Sequence, residues 1–184
     1  MTIKEIINST AKIVGRKDVV DYLNLGTQNS TDTLETVNKL VSLLNMIIGE
    51  LAGTFIPMVK TETVTVTDGK IYFKDLNLQP LEILDVYEGE IPLKFIHYPE
   101  YIKVKGSTVT VKYSCVPPVY DIDSTVDYSE TDISKTALIY GLCAEYCICS
   151  GAFDEAVLWH DRYVDCVKET RKIRNSKIKG RCWE

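Results

Sequence analysis

Two stretches decide the fold: Ser129–Cys149 (SETDISKTALIYGLCAEYCIC) and Phe153–Asn175 (FDEAVLWHDRYVDCVKETRKIRN), on either side of Ser150-Gly151. The first has Ser129, Thr131 and Asp132 to accept hydrogen bonds from the free N–H groups of a helix start. It runs to Gly151, a residue that takes a left-handed cap without a Cβ clash. The second places Phe153, Ala156, Val157, His160, Tyr163, Val164 and Val167 at i, i+3, i+4, i+7 spacing, with Asp154, Glu155, Asp161, Asp165 and Lys168 opposite. Two such apolar stripes joined by so short a link are expected to pack antiparallel.

Outward from this hairpin, the period of the sequence divides the chain. Residues Thr2–Leu25 read as one or two short helices broken near Gly15-Arg16. Thr33–Phe55 reads as a long helix with Leu34, Val37, Leu40, Val41, Leu44, Ile47, Ile48 and Leu51 on its apolar side. Asp32 with Glu35 makes a capping-box-like start beside Ser30 and Thr31, and Gly53 and Pro57 close the other end. From Lys60 the period becomes two: Thr61–Thr67, Lys70–Lys74, Leu81–Tyr87, Leu93–Tyr98, Tyr101–Lys105 and Thr108–Ser114 alternate apolar with polar. Asp68-Gly69 is a hairpin signal, and Lys105-Gly106-Ser107 reads as a second turn joining two strands of matched length. Pro117-Pro118 ends pairing, because neither residue donates to a ladder.

The expected fold class is therefore α+β: a helical bundle formed by N-terminal and C-terminal helices with an inserted small antiparallel β-unit. The expected divisions are a helical segment at 1–59, the β insertion at 60–118, a helical hairpin at 119–176 sharing the core with 1–59, and a basic docking tail at 177–184.

Composition bounds the class. The 184 residues are 45% hydrophobic and 26% charged, enough for a core of their own and typical of a soluble globular chain. The start MTIKEIINSTAKIV lacks an apolar secretory h-region, and no apolar run of about 18 residues exists to span a bilayer, so a cytosolic origin is expected and no membrane contact. Six cysteines cluster late in a chain too long and apolar to need staples, and they read as reduced, buried thiols. Cys143, Cys147, Cys149 and His160 could outline a zinc site, but only one knuckle of the usual pair is present, so no metal or other cofactor is expected.

Catalytic motifs are missing from the sequence. It has no G-x-S-x-G, P-loop, G-x-G-x-x-G, H-E-x-x-H or EF-hand pattern, His97 has no nucleophile at motif spacing, and His160 falls on the apolar stripe. The expectation is that the protein is not an enzyme. Charge is uneven. Residues 61–130 carry six basic and twelve acidic groups, whereas Lys168–Arg181 holds seven cations against the single Glu169. A tail of that kind is either a solvated helix end or the mate of an acidic protein surface. The sequence shows no basic face interleaved with aromatics, which argues against nucleic-acid binding.

Ala144-Glu145-Tyr146 and Gly151–Ala156 also look like the helix-turn-helix of a tetratricopeptide repeat. The pattern occurs once, whereas solenoids need about three copies.

A larger set of residues fits one family. Ala137–Tyr140, Ala144–Ile148, Gly151–Ala156, Trp159–Tyr163 and Arg181–Trp183 resemble the C-terminal end of bacteriophage head-tail adaptor (connector) proteins, including the tail-tubular type of short-tailed phages. The resemblance covers about a third of the chain. It implies a structural virion protein at the head-tail junction, assembled in the bacterial host cytoplasm. Its partners would be the phage portal protein, neighbouring copies in a ring, often of twelve, and other tail proteins. DNA would pass through the channel without specific binding. The residues placed in partner binding are Arg174, Lys177, Lys179, Arg181 and Trp183, the tryptophan as an aromatic anchor. The rival readings are a cytosolic helical-hairpin adaptor with a regulatory partner, and an enzyme accessory or metal-sensing domain using the cysteines.

Overall fold

The computed structural model describes residues 1–26, 30–126 and 134–175, the last five as backbone only. The chain divides into two compact units. One comprises Met1–Glu50 with residues 119–126 and 134–175; the other is Leu51–Pro118.

The first unit is built from helices α1 (Ile3–Ile13), α2 (Lys17–Leu25), α3 (Thr31–Glu50), α4 (Lys135–Ser150) and α5 (Phe153–Asn175). Helix α1 opens on a capping box: Thr2 Oγ1 accepts from the Glu5 N–H at 3.2 Å, and a Glu5 carboxylate oxygen accepts from the Thr2 N–H at 3.4 Å. It buries Ile3, Ile6, Ile7 and Ala11. Helix α3 buries Val37, Leu40, Leu44, Ile47 and Ile48, the recurrence that puts one face against a core. The helix starts at Thr31, so Asp32 lies inside its first turn rather than capping it.

Helix α4 packs against α1, α3 and α5 and is apolar around most of its girth, as a helix enclosed by others must be. Ser134 caps it, its hydroxyl accepting from the Ala137 N–H at 3.1 Å, and Gly151 ends it at φ +80°. The expected start at Ser129 lies outside the described residues.

Residues 119–126 run beside the helices. The Asn45 side chain holds Tyr120 by both backbone groups, at 2.9 and 2.8 Å. The amide of Ile3 donates to the Ser124 carbonyl at 3.0 Å.

The second unit begins with a π-helical turn, Leu51–Phe55, and then carries β1 (Met58–Thr65), β2 (Lys70–Tyr72), β3 (Pro80–Glu88), β4 (Ile91–Pro92), β5 (Phe95–His97), β6 (Tyr101–Val104) and β7 (Thr108–Cys115). These form two antiparallel sheets, one of order β1-β7-β3-β4 and one of order β2-β6-β5. Its core includes Ile71, Val86, Ile102, Val109, Val111 and Tyr113. The Tyr113 hydroxyl donates to a Glu62 carboxylate oxygen, which satisfies a phenol that sits inside the core.

This corrects the expected fold class. In place of an α+β bundle with one small antiparallel β-unit, the chain is mixed α/β, with five α-helices and two antiparallel sheets of seven strands among the described residues. The reason lies at two turns. Asp68 (φ +52°) and Gly69 (φ +72°) do turn the chain, with Thr67 and Lys70 exchanging N–H···O bonds, but β1 and β2 part there: β1 pairs with β7, and β2 with β6. Opposite them, Gly106 at φ +140° carries the chain from β6 in one sheet to β7 in the other, so these strands are not a hairpin. Two turns facing each other across a ribbon split it into two sheets. Lys70–Lys74 also ends early, in a 3-10 turn at Phe73–Asp75.

Candidate interaction surfaces

The hairpin of α4 and α5 forms because Gly151 reverses the chain, its N–H bonded to the Cys147 and Ile148 carbonyls. The first half of α5 then lies back along α4. Tyr140 meets Trp159 with ring centroids 5.6 Å apart, and the Arg162 guanidinium lies 4.7 Å over the Trp159 ring. A cation above an indole face is attracted to its quadrupole, so this side of the hairpin is knit by its own residues.

The buried stripe of α5 is Ala156, Tyr163, Val167 and Thr170. It is rotated from the stripe expected from sequence: Phe153 and Val157 are 64% and 61% exposed, and His160 is exposed as well. Leu158, further round, is 64% exposed, and Ile148 at the end of α4 is 46% exposed. Four large apolar residues near the turn of the hairpin are therefore between 46% and 64% exposed. Scattered exposed apolar residues are ordinary on a protein surface, but four of them on two linked elements near one turn offer apolar area for contact.

Of the residues placed in partner binding from sequence, Arg174 falls in the last turn of α5. Lys177, Lys179, Arg181 and Trp183 lie outside the described residues. The apolar tip was missed because a helical pattern with apolar residues on both flanks permits more than one core-facing stripe.

The thiols are distributed by burial. Cys115, Cys143 and Cys147 are buried and Cys149 is exposed. Burial pushes the Cys143 thiol up to about 12, and it raises Cys115, Cys147 and Cys166 as well, which disfavours the nucleophilic thiolate at all four. Among the described residues, no three His, Cys, Asp or Glu side chains converge to hold a metal ion. No helix among them is long and apolar enough to cross a membrane.

Arg16 is the densest polar junction. Its guanidinium donates to both carboxylate oxygens of Asp18 at 2.9 and 2.8 Å, to the Tyr146 hydroxyl at 3.1 Å and to Thr36 Oγ1 at 2.9 Å. The link between α1 and α2 is thereby bonded to α3 and α4, a role in holding the helices together rather than in chemistry. The bidentate pair draws the Asp18 carboxyl down to about 2.

No protein family and no curated protein matches this sequence.

Proposed function

We propose that the chain is a structural assembly subunit of the phage head-tail adaptor class, joining neighbouring copies in a ring beneath a portal. The observation that carries this reading is the apolar tip of the α4–α5 hairpin, where Ile148, Phe153, Val157 and Leu158 stand exposed. Covering such residues on a neighbouring subunit is favourable in proportion to the apolar area removed from water. A ring needs two different complementary faces per subunit, and the tip supplies one of them. The resemblance of Ala137–Tyr140, Ala144–Ile148, Gly151–Ala156, Trp159–Tyr163 and Arg181–Trp183 to the C-terminal end of head-tail adaptors adds the class of partner. In this reading the cationic run from Arg174 onward, with Trp183, docks on the portal. The particle assembles in the host cytoplasm, and catalysis forms no part of the role.

The test is electron microscopy of the full chain incubated with phage portal rings. The expected result is an added ring of density on one end of the portal. Portal rings left bare at saturating protein would contradict the role and favour a monomeric hairpin adaptor that binds a regulatory partner.

A further inference from the structure

The three-stranded sheet gathers aromatics and cations that the sequence keeps far apart. Along β6, Ile102 and Val104 are buried, so Tyr101 and Lys103 face the other way. Register then sets Tyr72 of β2 beside Tyr101, and Lys70 of β2 and Ile96 of β5 on either side of Lys103. Tyr98, just past β5, bonds its N–H to the Tyr101 carbonyl at 2.9 Å and lies flat on the Tyr101 ring, with centroids 4.6 Å apart and planes 14° from parallel.

A row of three tyrosines thus crosses the sheet, and a row of Lys70, Lys103 and Ile96 runs parallel to it two residues, or about 6.6 Å, further along the strands. The Lys70 ammonium sits 4.9 Å from the Tyr101 ring centre, and that of Lys74 sits 5.4 Å from the centre of Tyr72. Next to the cationic row a cleft of about 840 Å³ is lined by Lys94, Lys103 and Lys105 together with Leu93, Phe95 and Ile96. The net charge of the chain is −5, yet none of the three strands carries a carboxylate; Asp68, Asp75 and Glu100 lie in the turns, and the Glu88 carboxylate stands beside Gly106 at one edge of the cleft. Among the described residues no carboxylate forms an ion pair with Lys94, Lys103 or Lys105.

We propose that this face is a platform for single-stranded nucleic acid, with bases stacking on Tyr98 and Tyr72 and phosphates lying along Lys70, Lys103 and the Lys94–Lys105 cleft. Stacking faces are of use only to bases outside a duplex, and every base has one, so the platform is tolerant of sequence. Lysines lying over aromatic rings have their stems extended across the sheet, where the ammonium can meet a phosphate at little further ordering cost. A neutral glycan would call for carboxylate and amide partners for its hydroxyls, and these strands offer none. The acidic balance of the rest of the chain confines the attraction to this face. The inference rests on the sheet alone and holds whether or not the assembly role does.

The experiment is fluorescence polarisation of the full chain with a labelled oligothymidylate of about 15 nucleotides, across a salt series. Wild type is expected to bind at low salt, with log K falling linearly in log salt. Lys103→Glu and Lys94→Glu each weaken binding at least about tenfold and shorten the salt slope by about 0.7. Tyr98→Ala weakens it at least about fivefold with the slope unchanged, and Tyr98→Phe restores it. Replacing Arg171, Lys172, Arg174, Lys177, Lys179 and Arg181 by Gln leaves binding intact. The proposal is overturned by no binding at the lowest salt, by loss of binding in the tail variant, or by duplex DNA binding equally well. It is also overturned if the lysine variants weaken binding while Tyr98→Ala does not, the mark of a general polyanion surface. Circular dichroism of each variant separates misfolding from loss of contact.

Discussion

Gly141 of α4 lies directly against the ring of Tyr163 in α5: a Cβ at position 141 would stand 3.2 Å from Tyr163 Cδ2 and Cε2 and 3.3 Å from Ile47 Cγ2. Glycine inside a helix costs roughly 1 kcal/mol relative to alanine, so its place here is justified by the approach of α3 and α5 rather than by local propensity. Gly141→Leu is expected to destabilise by about 3 kcal/mol through overpacking. Gly141→Ala should stay within about 1 kcal/mol of wild type, the gain in helix propensity offsetting the tight contact. Urea unfolding followed by circular dichroism measures both. A leucine variant as stable as wild type would mean the three helices do not close on this point.

The Arg16–Asp18 pair makes stability depend on acid. The carboxyl of Asp18 is held at about 2 by hydrogen bonds from Arg16, below the usual carboxylate value. Its stabilising effect is therefore complete above the unfolded value of about 3.9 and fades as pH falls from there toward about 2. At neutral pH, Asp18→Asn should melt below wild type, and the two melting curves should converge near pH 2. Parallel loss of stability in both proteins would show that another carboxylate dominates. Arg16→Ala, which removes bonds to Asp18, Tyr146 and Thr36 together, should cost about 2 kcal/mol at neutral pH.

Gly106 is where β6 leaves one sheet and β7 enters the other. Its φ of +140° disfavours any side chain, and a Cβ there would stand 3.0 Å from Val109 Cγ1 and 3.3 Å from Glu88 Oε1. Gly106→Ala is expected to cost about 2–3 kcal/mol. Hydrogen exchange should then accelerate most at the amides of Val66 and Val104, whose bonds to Ser107 and Gly69 bracket the crossing. Unchanged exchange at those two amides would mean that the crossing tolerates a side chain.

Local chemistry was legible in the sequence and long-range pairing was not. Gly151 and the hairpin it turns could be read directly, because a left-handed cap depends on one residue and its neighbours. The turn at Asp68-Gly69 could be read for the same reason. Turn residues fix a few dihedral angles, however, and leave open whether the flanking strands stay together, so the division into two sheets was invisible. The face of α5 was misjudged because Phe153 and Val157 fit a helical apolar period as well as Ala156 and Tyr163 do. The tyrosine platform could not be seen at all, since Tyr72 and Tyr101 meet only through the register of β2 on β6.

The hairpin tip offers the most direct test of the assembly role. Sedimentation velocity of the full chain in reducing buffer, alone and with portal rings, is expected to show a discrete multi-copy species in at least one of the two conditions. Phe153→Asp combined with Leu158→Lys alters exposed positions only, so it should keep the helical circular dichroism of wild type while abolishing that species. Wild type remaining a monomer in both conditions, or the double variant assembling as wild type does, would contradict the account.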